Sequence, residues 1–254
     1  MPFLVRSLVA MLLLSGGGAA GAADLRVLGT EAFKPAFDAL AAGFQQASGH
    51  QLQIAYATAG VLRDRIRAGE TADVIILPKP TFDSLQAEGR VAREGSVSIA
   101  QSLFSLAVPA GAPKPDIGTP DALRRALLAA RAITYPHPTG GGGIGAYAGA
   151  VVERLGLTEQ LRARTTFTKA GEFRELLAQR QADLAFVLPT VVSNDPRIEV
   201  VGPLPAELQS PTEFVFSAGL GPQTRERAAA QALLRYLLST EAQAVMRSKG
   251  LDAP

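Results

Sequence analysis

The sequence predicts an α/β protein of two lobes, each an open, mostly parallel sheet flanked by helices. Three observations carry this expectation. Short apolar strands alternate with amphipathic helices from Leu25 to Glu88, and again from Thr119 to Leu188. Two strand-like runs are nearly continuous in apolarity, Ala72-Asp-Val-Ile-Ile-Leu77 and Ala182-Asp-Leu-Ala-Phe-Val-Leu188. Each follows a helix and carries aspartate at its second position, and unbroken apolarity marks a strand covered on both faces. Two further runs, Ser102–Pro109 and Thr212–Leu220, lie between these units and are expected to cross between the lobes as a hinge.

Taken in order, Leu25–Leu28 reads as a strand and Glu31–Ala47 as a helix. Phe33, Phe37, Leu40 and Phe44 recur three or four apart along its buried face. Thr30 is the candidate N-cap, Pro35 is tolerated near the first turn, and Ser48-Gly-His50 ends the helix with His50 in solvent. Leu52–Tyr56 is a strand, Val61–Ala68 a helix, Ala72–Leu77 a strand and Phe82–Glu88 a short helix. After Ser102–Pro109, Thr119 and Pro120 open a helix reaching Ala130. Ala132–Tyr135 (strand), Ile144–Leu155 (helix), Thr165–Thr168 (strand), Gly171–Arg180 (helix) and Ala182–Leu188 (strand) complete the second unit. Ile198–Val201 and Thr212–Leu220 are strands, and Gln223–Leu238 and Thr240–Lys249 are helices.

The N-terminus reads as an export leader. Arg6 precedes an apolar stretch, Ser7–Ser15, and the small-residue run Gly16–Ala23 ends in Ala-x-Ala-like patterns. Cleavage is expected near Ala23, with a retained N-terminal anchor as the alternative. The expected division is 1–23 leader, 24–104 first lobe, 105–211 second lobe, and 212–254 returning to the first. No cysteine is present, which excludes a lipid-bearing cysteine, disulfides, a thiol nucleophile and cysteine-ligated metals. Leader and composition together point to the periplasm. There are 25 Lys+Arg and 23 Asp+Glu, scattered along the chain, so no pull towards nucleic acid is expected. The chain is expected to be a monomer without stable membrane insertion.

Tyr135-Pro-His-Pro-Thr-Gly-Gly-Gly-Gly-Ile-Gly145 is the most distinctive stretch. A strand, a glycine-rich turn and a helix start in series present several main-chain N–H groups at one point, which suits an anion. A plain flexible surface loop is the other reading. Tyr56-Ala-Thr-Ala-Gly-Val61 has a similar form, so two helix ends are expected to converge on one ligand.

Arg26–Phe37, Tyr56–Arg63, Ile66–Asp73, Gly145–Ala148 with Leu155-Gly-Leu157, and Leu237–Ala244 resemble the periplasmic molybdate-binding proteins of ABC importers. The resemblance spans nearly all of the mature chain and implies a type II periplasmic binding fold, a small anionic ligand and an ABC permease partner. Family oxyanion sites are built from hydroxyls and main-chain N–H groups. Carried over, this implies Thr30, Thr58 and Thr190 as hydroxyl donors. Gly60, Val61, Thr139 and Gly140, Gly141 and Gly142 are implied as loop donors. Where the family usually has a small hydroxyl residue, this chain has Glu31, and an ionised carboxylate repels a dianion. The family's tyrosine near Leu188 is missing. These departures move the expected ligand from a tetrahedral oxyanion to a di- or tricarboxylate.

Lys34, Arg63, Lys79, His137 and Lys169 fall near strand ends that should face the cleft. Together they would suit a ligand with several carboxylates. Arg63 is placed in the first turn of its helix, where a cation is unfavourable without an anion. Lys79 is placed on a stiff turn between Pro78 and Pro80. The chain is also similar to periplasmic aconitate isomerase, which moves a proton across an allylic system in a tricarboxylate. That resemblance implies a cationic clamp of Arg63, Lys79 and Lys169, with His137, Glu31 or Lys34 as acid–base. His137, between Pro136 and Pro138, is the first choice because prolines fix its direction and imidazole titrates near neutrality. No metal site and no cofactor are expected. Two function classes stay open: a solute receptor for an ABC importer, and an isomerase of a small polycarboxylate.

Overall fold

A computed structural model of the chain describes residues 22–139, 143–169 and 171–254. Ten strands form two sheets. They are β1 (Asp24–Thr30), β2 (Gln51–Ala57), β3 (Val74–Pro78), β4 (Val97–Gln101), β5 (Ser105–Pro109), β6 (Ile133–Pro136), β7 (Thr165–Thr168), β8 (Leu184–Val187), β9 (Ile198–Pro203) and β10 (Val215–Leu220). The first sheet has the order β2-β1-β3-β10-β4 and the second β7-β6-β8-β5-β9. Both are open and mixed, with helices on their faces, which is the two-lobed type II periplasmic binding fold.

The two orders follow one plan. β1 pairs in parallel with β2 and β3, as β6 does with β7 and β8. The antiparallel strand of the first sheet, β10, arrives from the second. The antiparallel strand of the second sheet, β5, arrives from the first. The chain therefore crosses once at 102–104 and back at 204–214. The crossings are tied together: Ser102 N–H donates to Phe214 O at 3.0 Å, and Gln209 Nε2 donates to Phe104 O at 2.8 Å. Phe104 stacks on Phe214 with ring centroids 5.1 Å apart, and Tyr147 meets both rings edge-on. Truncating a fully buried ring such as Phe104 typically costs about 3–5 kcal/mol.

Helix Lys34–Ser48 buries Phe37, Leu40 and Phe44, the expected face, and packs against the first sheet. It ends at Gly49, whose φ of 75° is the left-handed conformation glycine adopts freely. It starts later than expected: its N-cap position is Phe33, so Thr30 does not cap it. His50 is buried rather than in solvent, because Nδ1 accepts the Ala23 N–H at 3.1 Å. A strand that sequence reading missed, β4, precedes β5; its five residues alternate too weakly to stand out. Lys79 lies in the first turn of helix Lys79–Ala87 rather than on a stiff turn, because Pro80 suits that first turn. Among the described residues no helix is long and apolar enough to cross a membrane.

Candidate functional site

The carboxyl ends of the parallel strands in both sheets face a common cleft of about 530 Å³. Four helices of eight residues or more point their N-terminal ends at it. Lys34–Ser48 contributes Lys34, and Ala59–Arg67 contributes Thr58 and Ala59. Lys79–Ala87 contributes Pro78, and Gly143–Arg154 contributes Gly143 and Ile144. Each helix end carries partial positive charge, about half an elementary charge, so the cleft is set for an anion.

The first wall is built by β1, β2 and the helices that follow them. Thr30 ends β1 and is buried, and Glu31 beyond it is exposed to the cleft. The Glu31 carboxylate has no hydrogen bond or ion pair among the described residues. Buried Phe33, 5.4 Å from the Phe216 ring, anchors the turn between them. Lys34 Nζ pairs with Asp38 and lies 4.7 Å above the ring of Tyr56. The Tyr56 hydroxyl donates to the other Asp38 oxygen at 2.7 Å. Burial, followed by that hydrogen bond and the Asp38 charge, pushes the Tyr56 phenol well above its ordinary range. Lys34, Asp38 and Tyr56 thus form one cross-linked group in which the ammonium is already matched by a carboxylate. Thr58 lines the cleft, and its Oγ1 caps the next helix by accepting the Val61 N–H at 3.4 Å.

The second wall is more apolar, with Pro136, Ile144, Phe173, Leu188 and Val191. Its cation is Arg174, whose Nε donates to Gly171 O at 3.2 Å and whose Nη1 reaches Val191 O at 3.4 Å. No carboxylate pairs with it among the described residues. Gly145 seats the helix that opens this wall. A Cβ there would stand 2.8 Å from the His137 carbonyl oxygen and closer still to that of Pro136. The helix can approach the end of β6 only without a side chain at this position.

Glu213 lies on the returning crossover, just before β10, and lines the cleft beside the start of helix Gly143–Arg154. A Cβ on Gly143 would stand 3.3 Å from its Oε1. The half-buried carboxyl has no hydrogen bond or ion pair among the described residues, and desolvation raises its pKa above the usual carboxylate range.

The structure brings together only part of the sequence-derived set. Thr30, Glu31, Lys34 and Thr58 line the cleft. Arg63 does not: the helix starts at Ala59, which puts Arg63 past the first turn rather than in it, and the side chain pairs with Asp64 at 2.8 Å. Lys79 is also off the cleft, paired with Asp83 at 2.9 Å. The exposed His137 ring lies edge-on to Phe167, 5.0 Å between centroids, and its Nδ1 accepts the Thr139 N–H at 3.2 Å. His137, Thr139 and Lys169 are exposed and lie outside the cleft lining, as do Gly60 and Val61. Thr190 is fully buried behind Leu188, and its hydroxyl has no hydrogen-bond partner among the described residues. Gly140, Gly141 and Gly142 lie outside the described residues. Among the described residues no cluster of His, Asp and Glu is arranged to hold a metal.

Sequence reasoning missed Arg174, Glu213, Asp38 and Tyr56 as cleft side chains. Some signal was present. Arg174 follows a glycine turn after β7, and Glu213 is the acidic residue just before a crossing strand whose one polar side chain is Ser217.

Comparison with known proteins agrees with this geometry. The periplasmic molybdate-binding protein of Azotobacter vinelandii superimposes with a TM-score of 0.73 at 22% identity, covering 91% of this chain and 99% of that one. The sulfate-binding protein SubI of Mycobacterium tuberculosis gives 0.70 at 16%, covering 91% and 87%. An aconitate isomerase from a Pseudomonas species is 30% identical over 218 residues, 84% of this chain and 81% of that protein. The model of the family described as bacterial extracellular solute-binding protein matches residues 25–252. With that match over most of its length, the chain belongs to the bacterial extracellular solute-binding protein family.

Proposed function

We propose that the protein captures a small di- or tricarboxylate in the interlobe cleft, as the periplasmic receptor of an ABC importer. The observation that carries this reading is Arg174, a guanidinium with no carboxylate in ion-pair contact among the described residues, facing a cleft ringed by helix N-termini. A planar guanidinium matches a carboxylate in two parallel hydrogen bonds. Lys34, Thr30 and Thr58 on the opposite wall and the main-chain N–H groups at Ala59 and Ile144 would hold the remaining anionic groups. The cleft volume falls within the roughly 300–1,000 Å³ usual for small-molecule sites. Glu31 disfavours a bare dianion close to the first helix end. The lobes, assigned as 24–104 with 212–254 and as 105–211, are proposed to close over the ligand about the paired crossovers.

A thermal-shift panel tests the ligand class. Citrate, aconitate and dicarboxylates should raise the melting temperature progressively with concentration, by about 2.7 kcal/mol of stabilisation at a hundredfold excess over Kd. A large shift with molybdate, tungstate or sulfate, and none with polycarboxylates, would overturn the proposal.

The 30% identity to an aconitate isomerase favours a second reading, isomerisation of the bound polycarboxylate. A receptor returns its ligand unchanged, and an isomerase yields a product. Proton NMR of trans-aconitate incubated with purified protein separates the two.

A further inference from the structure

We propose that Glu213 is the proton-transfer residue of the cleft; this rests on the isomerase reading above. Sequence analysis placed that role on His137, Glu31 or Lys34. His137 is off the cleft and held within its own loop by Thr139. Lys34 is committed to its ion pair with Asp38. Glu31 is exposed to water and is not held in one direction by any side-chain hydrogen bond or ion pair among the described residues. Glu213 lines the cleft, is half-buried, and is neither hydrogen-bonded nor ion-paired through its side chain among the described residues.

The charge balance of the site supports the same assignment. The charged and titratable groups sharing the cleft with Glu213 are Glu31, Lys34, Asp38 and Tyr56 on the first wall and Arg174 on the second. On the helix packed beside it, Tyr147 is committed as a donor to Leu208 O. Asp38 cancels Lys34 and Glu31 offsets Arg174, so the helix ends supply the net attraction for an anion. An ionised Glu213 would oppose a polycarboxylate, and a protonated one would not. Burial favours the protonated form, so the carboxyl holds a proton more readily than an exposed one does. Its place on the crossover keeps it in reach of a ligand held by either lobe.

The step balances without a co-reactant. The Glu213 carboxylate removes a proton from the methylene carbon between a carboxylate and the double bond. The C–H electron pair spreads over the allylic system and its carboxylates. The carboxylic acid so formed returns the proton to the far end of the allylic unit, and the double bond moves with no net change in composition.

The experiment uses the mature protein with trans-aconitate in heavy water. Product and deuterium incorporation are followed by proton NMR, tricarboxylate binding by calorimetry and folding by thermal melting. Wild type should form cis product and exchange the allylic hydrogens. Glu213→Gln should melt cooperatively and bind within a few-fold of wild type, yet turn over at least about a hundredfold more slowly. Glu213→Asp, which keeps the acid, should retain part of the rate and provides the test if the glutamine variant misfolds. The wild-type rate should rise with pH through a pKa above the usual carboxylate range. Turnover by Glu213→Gln near the wild-type rate would overturn the assignment and leave the isomerase reading standing. Saturable binding by wild type with neither product nor exchange would overturn both.

Discussion

The two walls of the cleft are built on one plan and carry different chemistry. Asp73, before β3, accepts the Arg26 N–H at 2.8 Å and donates its own N–H to Arg26 O. Asp183, before β8, does the same at the foot of β6, accepting the Arg131 N–H at 2.7 Å and donating to Ala132 O. These paired aspartates fix how the third strand of each unit meets the first. At the other end of the strands the likeness stops. The first wall has a short turn from β1 into a helix and a cross-linked Lys34–Asp38–Tyr56 group. The second has a longer connection, a glycine-seated helix and an arginine in ion-pair contact with no carboxylate among the described residues. Strand-foot residues serve a fold that both lobes share, whereas strand-end residues serve a ligand that is not symmetric.

The largest expected effect is on the second wall's helix seat. By helix propensity alone Gly145→Ala would stabilise by about 1 kcal/mol. The new methyl would instead collide with the Pro136 and His137 carbonyls, and because backbone rather than a flexible side chain must give way, the cost exceeds the roughly 1–3 kcal/mol usual for overpacking. Chemical denaturation should therefore show a net loss of stability, and a more stable variant would show that the helix end can slide away. Next in size is the inequality between the cations. Arg174→Ala should weaken tricarboxylate binding about 10–100-fold, the value of a charged hydrogen bond of about 1.5–3 kcal/mol. Lys34→Ala should cost less, since Asp38 already neutralises that ammonium. Calorimetry giving the reverse order would move the principal clamp to the first wall.

The smallest effect is on stability against pH. Folding raises the pKa of Glu213, so the native state holds this proton more tightly than the unfolded chain does. Stability from this group is therefore complete below the unfolded value and declines as pH rises through the folded one. Glu213→Gln should melt above wild type at about pH 8 and match it near pH 4, the unfolded carboxylate value. An equal difference at both pH values would show that the variant acts through packing.

What could be read from the sequence follows the same division. The duplicated aspartates, the phenylalanine stripe of the first long helix and the crossing segments were legible because burial imposes period and apolarity on adjacent residues. Thr30, Thr58 and Lys34 were reachable because they lie at the strand-to-helix turns of the first lobe. Arg174 and Glu213 were not, since a lone charge, on the short helix Phe173–Ala178 or on the crossover, sets no period and its neighbours across the cleft are far away in sequence. Arg63 and Lys79 were misplaced for the converse reason. Each meets its carboxylate, Asp64 or Asp83, on its own helix, so neither needs a ligand.

The most direct measurement of whether both lobes grip one polycarboxylate is hydrogen exchange at the helix ends, with and without saturating tricarboxylate. Protection is predicted to rise together at 58–62 on the first wall and at 143–147 and 171–175 on the second, and to fall back in Arg174→Ala at the same ligand concentration. Protection confined to one wall, or ligand binding that leaves both unchanged, would contradict capture in the interlobe cleft.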